Sequence, residues 1–278
     1  MQSLPLLMEV EELNTLLTSG QDLSKVLIID QSKLDNYLAG HIPSAVHLNF
    51  ADLQFGQAPT PGGLPKKEQL SVVFSNLGLT EDTHVIAYDD EGGGWAGRLI
   101  WVLDMIGHKH YSYVNGGIHA WMQAGLPTEQ GNTEPTASNY KAGKLQHEFQ
   151  VDAKYIQSRI GASDFAIWDA RSPAEYEGTK VFAARGGHIP GAVNFEWTAG
   201  MDNERALRIL DLDKFSEILN NLGLTKDKEI ITHCQTHHRS GFTYLVGKIL
   251  GLNIKGYAGS WSEWGNREDT PVKTGDQP

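Results

Sequence analysis

The chain has 278 residues, an apolar content of 40% and a formal charge of −11. That length suits one large domain or two of ordinary size with a sizeable core, and the acidic balance argues against general binding to nucleic acid or anionic membranes. The single cysteine, Cys234, excludes an intrachain disulfide framework, a Cys-x-x-Cys redox pair and a multi-cysteine metal site.

The first ten residues carry no basic leader and no long apolar run, and no stretch is long enough to cross a bilayer. A cytoplasmic protein is therefore expected, in a compartment that keeps a thiol reduced. Val26 to Asp30 reads as a strand and Ser32 to Leu38 as a helix. Val85 to Asp89 reads as a strand, Arg98 to Ile106 as a helix and His110 to Val114 as a strand. Gly125 to Lys144 is polar, contains Pro and Gly and shows no periodicity, which marks a linker.

The second half repeats the first. Leu27-Ile-Ile-Asp30, Tyr37 and Gly40-His-Ile-Pro-Ser-Ala-Val46 return as Ala166-Ile-Trp-Asp169, Tyr176 and Gly187-His-Ile-Pro-Gly-Ala-Val193. Asn76-Leu-Gly-Leu-Thr80 with Val85-Ile-Ala-Tyr-Asp89 returns as Asn221-Leu-Gly-Leu-Thr225 with Ile230-Ile-Thr-His-Cys234. Asn115-Gly-Gly-Ile-His-Ala-Trp121 returns as Ala258-Gly-Ser-Trp-Ser-Glu-Trp264. Each copy alternates Val/Ile-rich strands with helices, so the expected class is α/β: two tandem domains, each a mostly parallel sheet covered by helices on both faces. The boundaries expected are 1–125 for an inactive domain, 126–147 for the linker and 148–278 for the active domain. Duplication supplies an internal pseudo-symmetric pair, which makes a monomer the default expectation.

Ligands in such folds bind beyond the carboxyl ends of the strands. Cys234 falls at such an end, between the apolar run Glu229 to His233 and a helix read over Phe242 to Leu250. A thiol there faces the positive end of a helix and a set of unpaired backbone N–H groups, which favour a thiolate nucleophile. Gln235, Thr236, His237, His238 and Arg239 form the short loop, with amides and side chains suited to an anionic substrate. A metal site built from Cys234, His237 and His238 is disfavoured, because adjacent histidines rarely converge on one ion. The aligned position in the first copy is Asp89, or Asp90 if the loop carries a gap; either way it is a carboxylate and not a thiol. Gly92-Gly-Gly94-Trp-Ala-Gly97 matches a dinucleotide pattern, yet no acidic residue closes the next strand, and a tight turn accounts for the glycines.

These blocks together resemble the rhodanese family, and the loop Cys234-Gln-Thr-His-His-Arg239 is similar to that of bacterial two-domain rhodaneses of the Azotobacter type. The signature residues are Asp30 with Gly40-His-Ile-Pro43, Asp169-Ala-Arg171, Glu175-Tyr176 with Gly187-His-Ile-Pro190, and Tyr257-Ala-Gly-Ser-Trp261. The resemblance implies a thiosulfate:cyanide sulfurtransferase working through a Cys234 persulfide by double displacement, without cofactor or metal. It implies thiosulfate as the small anionic donor. The acceptor would be cyanide, another thiol or a protein. It makes Arg185 a candidate substrate anchor. The loop departs from the vertebrate-type Cys-Arg-Lys-Gly-x-Thr and from the mercaptopyruvate pattern Cys-Gly-(Ser/Thr)-Gly-x-Thr. A 3-mercaptopyruvate sulfurtransferase and a persulfide carrier protein stand as alternatives. Phosphatases that share the fold use His-Cys-x₅-Arg, whereas only four residues separate Cys234 from Arg239.

Overall fold

The computed structural model describes residues 4–278. The chain forms two compact units: one holds the residues up to Leu53, Pro65–Gln146 and Met201–Ile209, the other Gln54–Leu64, His147–Gly200 and Leu210–Pro278. Each half of the sequence thus lends a short segment to the unit built mainly by the other half. The contiguous spans 1–125 and 148–278 do not contain this exchange, because an internal repeat follows chain order and not proximity. Both segments leave at equivalent points, just after the 3₁₀ turns Phe50–Leu53 and Trp197–Gly200.

The first unit contains strands β1 (Leu7–Met8), β2 (Val26–Asp30), β3 (Val46–His47), β4 (His84–Tyr88) and β5 (Tyr111–Val114). Its helices are α1 (Val10–Thr18), α2 (Leu34–Ala39), α3 (Lys67–Asn76), α4 (Gly94–Met105) and α5 (Gly117–Gln123). The sheet runs β1-β5-β4-β2-β3, all parallel. The second unit repeats the plan with β6 (Phe165–Asp169), β7 (Ala192–Asn194), β10 (Glu229–His233) and β11 (Asn253–Gly256), in the parallel order β11-β10-β6-β7. The missing numbers, β8 (Met201–Asp202) and β9 (Arg208–Ile209), form an antiparallel ribbon in the first unit. The second unit's helices are α6 (Ala153–Arg159), α7 (Pro173–Glu177), α8 (Leu212–Asn221), α9 (Arg239–Ile249) and α10 (Ser260–Trp264).

The central strands are apolar on successive residues because both sheet faces are covered. Ile28, Ile29, Val85, Ile86, Ile230 and Ile231 are all buried, and each such side chain contributes about 1.5–3 kcal/mol as an upper estimate. The repeated tryptophans pack in the cores: Trp121 in the first unit, Trp261 and Trp264 in the second. The repeated Gly-His-Ile-Pro block is also structural. His41 stacks on Tyr37 with ring centroids 4.1 Å apart, and His188 on Tyr176 at 3.7 Å. Each histidine Nδ1 lies 2.9 Å from its partner tyrosine's carbonyl oxygen, and each tyrosine hydroxyl donates to a carbonyl, Ala45 or Ala192.

Residues 125–144 are strapped to the first unit. Glu129 and His41 exchange backbone hydrogen bonds of 2.9 Å, the Ser138 N–H donates to the Ser75 carbonyl, and Tyr140 is buried edge-on to Phe74. The helices that follow β4 and β10 begin earlier than their apolar periodicity indicates, at Gly94 and at Arg239. The first turn of α9 opens with Arg239-Ser240-Gly241, and that of α4 with Gly94-Trp95-Ala96-Gly97, where the Trp95 and Ala96 N–H groups donate to Asp89. Among the described residues, no helix is long and apolar enough to cross a membrane.

Candidate active site

Strand β10 delivers Cys234 beyond its last residue, His233, which pairs in register with Asp169 at the end of β6. The loop then closes within Gln235–His238, and α9 starts at Arg239. Such a short closure needs a reversal, and His237 provides it at φ +59°, in the left-handed region that few non-glycine residues occupy. The N-terminal end of α10 fastens the loop from the side. The Trp261 N–H donates to the Cys234 carbonyl at 2.9 Å, and the Ser262 N–H to the Gln235 carbonyl at 3.0 Å. The Cys234 N–H donates to Ser260 Oγ at 3.4 Å.

The Cys234 side chain is 1% exposed. Burial alone pushes its thiol pKa up; the positive Arg239, the Ser240 hydroxyl and the N–H groups of Ser240 and Thr236 outweigh burial and bring it below the ordinary thiol value. The loop therefore holds an anion-favouring cradle around sulfur.

The remaining loop residues have distinct surroundings. Gln235 donates from Nε2 to the Phe182 carbonyl at 3.1 Å, tying the loop to the residues between α7 and β7. Thr236 abuts Gly62 of the lent segment: a Cβ on Gly62 would sit 2.0 Å from the Thr236 carbonyl oxygen. Space, and not backbone conformation, requires glycine there. The buried His237 places Nδ1 2.7 Å from Ser240 Oγ. His238 lies edge-on to Trp197, with ring centroids 5.6 Å apart.

Arg239 does not present an open fork. Its two terminal nitrogens donate to Glu175 at 2.6 and 2.8 Å, and Glu175 also accepts from the Ser172 hydroxyl at 2.8 Å. Burial raises the Glu175 pKa, but the hydrogen bonds and charge of Arg239 carry it below the usual carboxylate range. Behind this pair lies a second one. Arg171 donates from Nε to both Asp169 oxygens at 2.9 and 3.1 Å, reaches the Gly187 carbonyl at 2.8 Å and stacks over Trp261 at 4.3 Å. His233, fully buried, is held below its ordinary pKa by desolvation, which overrides the Asp169 carboxylate 3.6 Å away.

Arg185, the expected substrate anchor, makes its hydrogen bonds to the end of α10 and the segment after it. Its guanidinium donates to the Thr270 carbonyl at 2.8 Å, the Trp264 carbonyl at 3.0 Å and Thr270 Oγ1 at 2.6 Å, and also to the Arg267 carbonyl. It holds the segment after α10 in place.

In the first unit the position equivalent to Cys234 is Asp89. Its carbonyl accepts from the Ile118 N–H, as that of Cys234 does from Trp261. Its carboxylate accepts from the N–H groups of Glu91, Gly93, Trp95 and Ala96 at 2.8–3.0 Å. Burial nevertheless raises its pKa. A side chain of the loop itself fills the amide cradle: within the Gly92–Gly97 motif the N–H groups of Gly93, Trp95 and Ala96 meet the Asp89 carboxylate. Asp90 turns away and accepts from Asn36 Nδ2 at 2.6 Å.

Sequence reasoning left Glu175, Ser240, Ser260 and Gly62 without a role at this site. Glu175 carried a signal, since Ser172-x-x-Glu175 spells a capping box, and Ser260 lies in a repeated block. Gly62 carried none, because the lent segment has no periodicity.

A protein-family model described as Rhodanese-like domain matches twice, over residues 9–124 and 152–267. A protein of Pseudomonas aeruginosa named thiosulfate sulfurtransferase is 51% identical over 271 residues, covering 97% of each chain. One of the same name from Azotobacter vinelandii is 50% identical over 272 residues and covers 98% of each. Among solved structures, an anaerobic ergothioneine biosynthesis enzyme from Chlorobium limicola superposes with a TM-score of 0.87 at 22% identity, over 97% of this chain and 70% of that one. That likeness bears on the fold alone.

Proposed function

This chain belongs to the rhodanese family, and we propose that it is a thiosulfate sulfurtransferase whose nucleophile is Cys234. The observation that carries the reading is the place of Cys234: just beyond the end of β10, in a short loop that α9 closes with Arg239 and that the Trp261 and Ser262 N–H groups fasten. The Cys234 thiolate attacks the outer sulfur of thiosulfate, a sulfur–sulfur bond forms, and the donor's own sulfur–sulfur bond breaks with its electron pair leaving on sulfite. Cyanide then attacks the terminal sulfur of the persulfide. Thiocyanate departs and the thiolate returns with the bonding pair. This is covalent double displacement. No proton moves in either step, so the difficulty is electrostatic: a dianion must approach an anion. Amides fixed before the reaction and the Arg239 charge offset that accumulation without having to reorganise.

Within this reading Gln235, Thr236, His237 and His238 shape the donor pocket, Arg239 sets its field and Arg185 positions the segment after α10. The first unit, with Asp89 in its cradle, is the inactive partner. A protein-borne thiol is a second candidate acceptor, because Val181 and Phe182 are 50% and 56% exposed and Gln235 connects Phe182 to the loop.

Initial rates over a matrix of thiosulfate and cyanide concentrations test the proposal. Parallel double-reciprocal lines are expected, with kcat/KM for thiosulfate above that for 3-mercaptopyruvate and no release of phosphate from an aryl phosphate. Intersecting lines, or a preference for mercaptopyruvate, would overturn it.

A further inference from the structure

We propose that Ser240 and His237 form a positioning relay for the Cys234 sulfur, in which the His237 ring holds the Ser240 hydroxyl so that its one proton points at the anionic sulfur. The inference rests on the reading of Cys234 as the reacting group. It makes the two side chains act as one unit.

His237 Nδ1 lies 2.7 Å from Ser240 Oγ, and both residues are fully buried. The Ser240 hydroxyl is also among the groups that bring the Cys234 thiol pKa down. A hydroxyl has one proton to give and can accept as well. If Nδ1 is bare, it takes the serine proton, and sulfur faces an oxygen lone pair. If Nδ1 carries hydrogen, the ring donates to Oγ, and the hydroxyl proton is released to sulfur. A negative sulfur selects the second arrangement, so thiolate and persulfide are both met by a donor. Ser240 lies in the first turn of α9, where its N–H also lowers the thiol pKa, and His237 lies in the loop two residues before that helix starts.

The backbone gives an independent sign. His237 holds φ +59° where glycine would sit without strain. Retaining a bulky ring at a strained, sealed position is expected when the ring has a task. Other charges facing the sulfur are Arg239, which lowers its pKa, with Glu175 paired to Arg239. Asp169 ends the neighbouring strand β6 with Arg171 two residues on, His233 ends β10 itself, and His238 packs beside Trp197. None of these contacts substitutes for a hydroxyl donor on sulfur.

The test is a pH titration of the Cys234 thiolate by ultraviolet absorbance and by alkylation rate, which reports one site because the chain has one cysteine. Ser240→Ala should raise the thiolate pKa by about one unit, a tenfold loss of thiolate at limiting pH. His237→Gly removes the ring while relaxing the backbone, and should raise it in the same direction by a similar amount. The double variant should match Ser240→Ala alone, since the ring acts through the hydroxyl. His237→Asn keeps an amide donor on a residue tolerant of this backbone, and should retain the lowered pKa. An unchanged pKa in His237→Gly, or additive shifts in the double variant, would overturn the relay. If Ser240→Ala lost its native circular dichroism, His237→Gly against His237→Asn would decide the matter. The titration needs no sulfur donor, so failure of the relay is separate from failure of the nucleophile assignment, which shows as absence of a persulfide in the unaltered protein.

Discussion

Replacing Cys234 by Ala reduces sulfur transfer to the uncatalysed background with every donor, while the circular dichroism and the thermal transition stay close to those of the parent. The chain offers no second thiol to take over. The lost sulfur makes contacts in a polar loop and not in an apolar core, so the expected cost in stability is about 1 kcal/mol. Cys234→Ser sharpens the point. It keeps the shape and the surrounding N–H groups, yet an alcohol in the same cradle stays protonated, so its activity is expected at background too. Activity retained in either variant would remove the persulfide mechanism.

Replacing Arg239 has the second largest effect, and its sign can be checked against a partner. Arg239→Ala removes the charge that counts most against burial in lowering the thiol pKa. We expect kcat/KM for thiosulfate to fall by about 10²-fold, the scale for losing one preorganised anion-stabilising group, with a smaller loss in cyanide acceptance. The variant also leaves the Glu175 carboxylate buried and unpaired, at a cost of about 3 kcal/mol; adding Glu175→Ala should restore most of that stability but not the activity. Glu175→Gln acts in the opposite direction. It leaves the Arg239 charge less compensated, so the thiol pKa and the KM for thiosulfate should both fall. A purely structural ion pair would show loss from both sides. Equal losses in donor and acceptor steps of Arg239→Ala would contradict the role in donor binding.

The site was partly legible in the sequence because its nucleophile is chemically singular and lies where an apolar strand meets a polar turn. The repeat added the fold, and it separated structure from chemistry: His41 and His188 recur and stack on tyrosines, whereas Cys234 recurs as Asp89. Side-chain direction was not legible. Arg239 stands where a substrate fork would be useful, but Glu175, far away in the chain, claims both of its terminal nitrogens. Arg185 likewise serves backbone carbonyls near residue 270. The helix starts were not legible because glycines in the first turn of α4 and Arg239-Ser240-Gly241 in that of α9 interrupt the apolar periodicity. The contact between Gly62 and Thr236 has no local signature, since it joins a loop from the first half to the nucleophile loop of the second.

Intact mass of the purified protein, taken first alone, then after thiosulfate and again after cyanide, tests the central claim most directly. The account predicts that thiosulfate adds one sulfur atom to nearly every molecule, that cyanide removes it, and that Cys234→Ala never acquires it. No mass gain in the unaltered protein, or the same gain in Cys234→Ala, would contradict it.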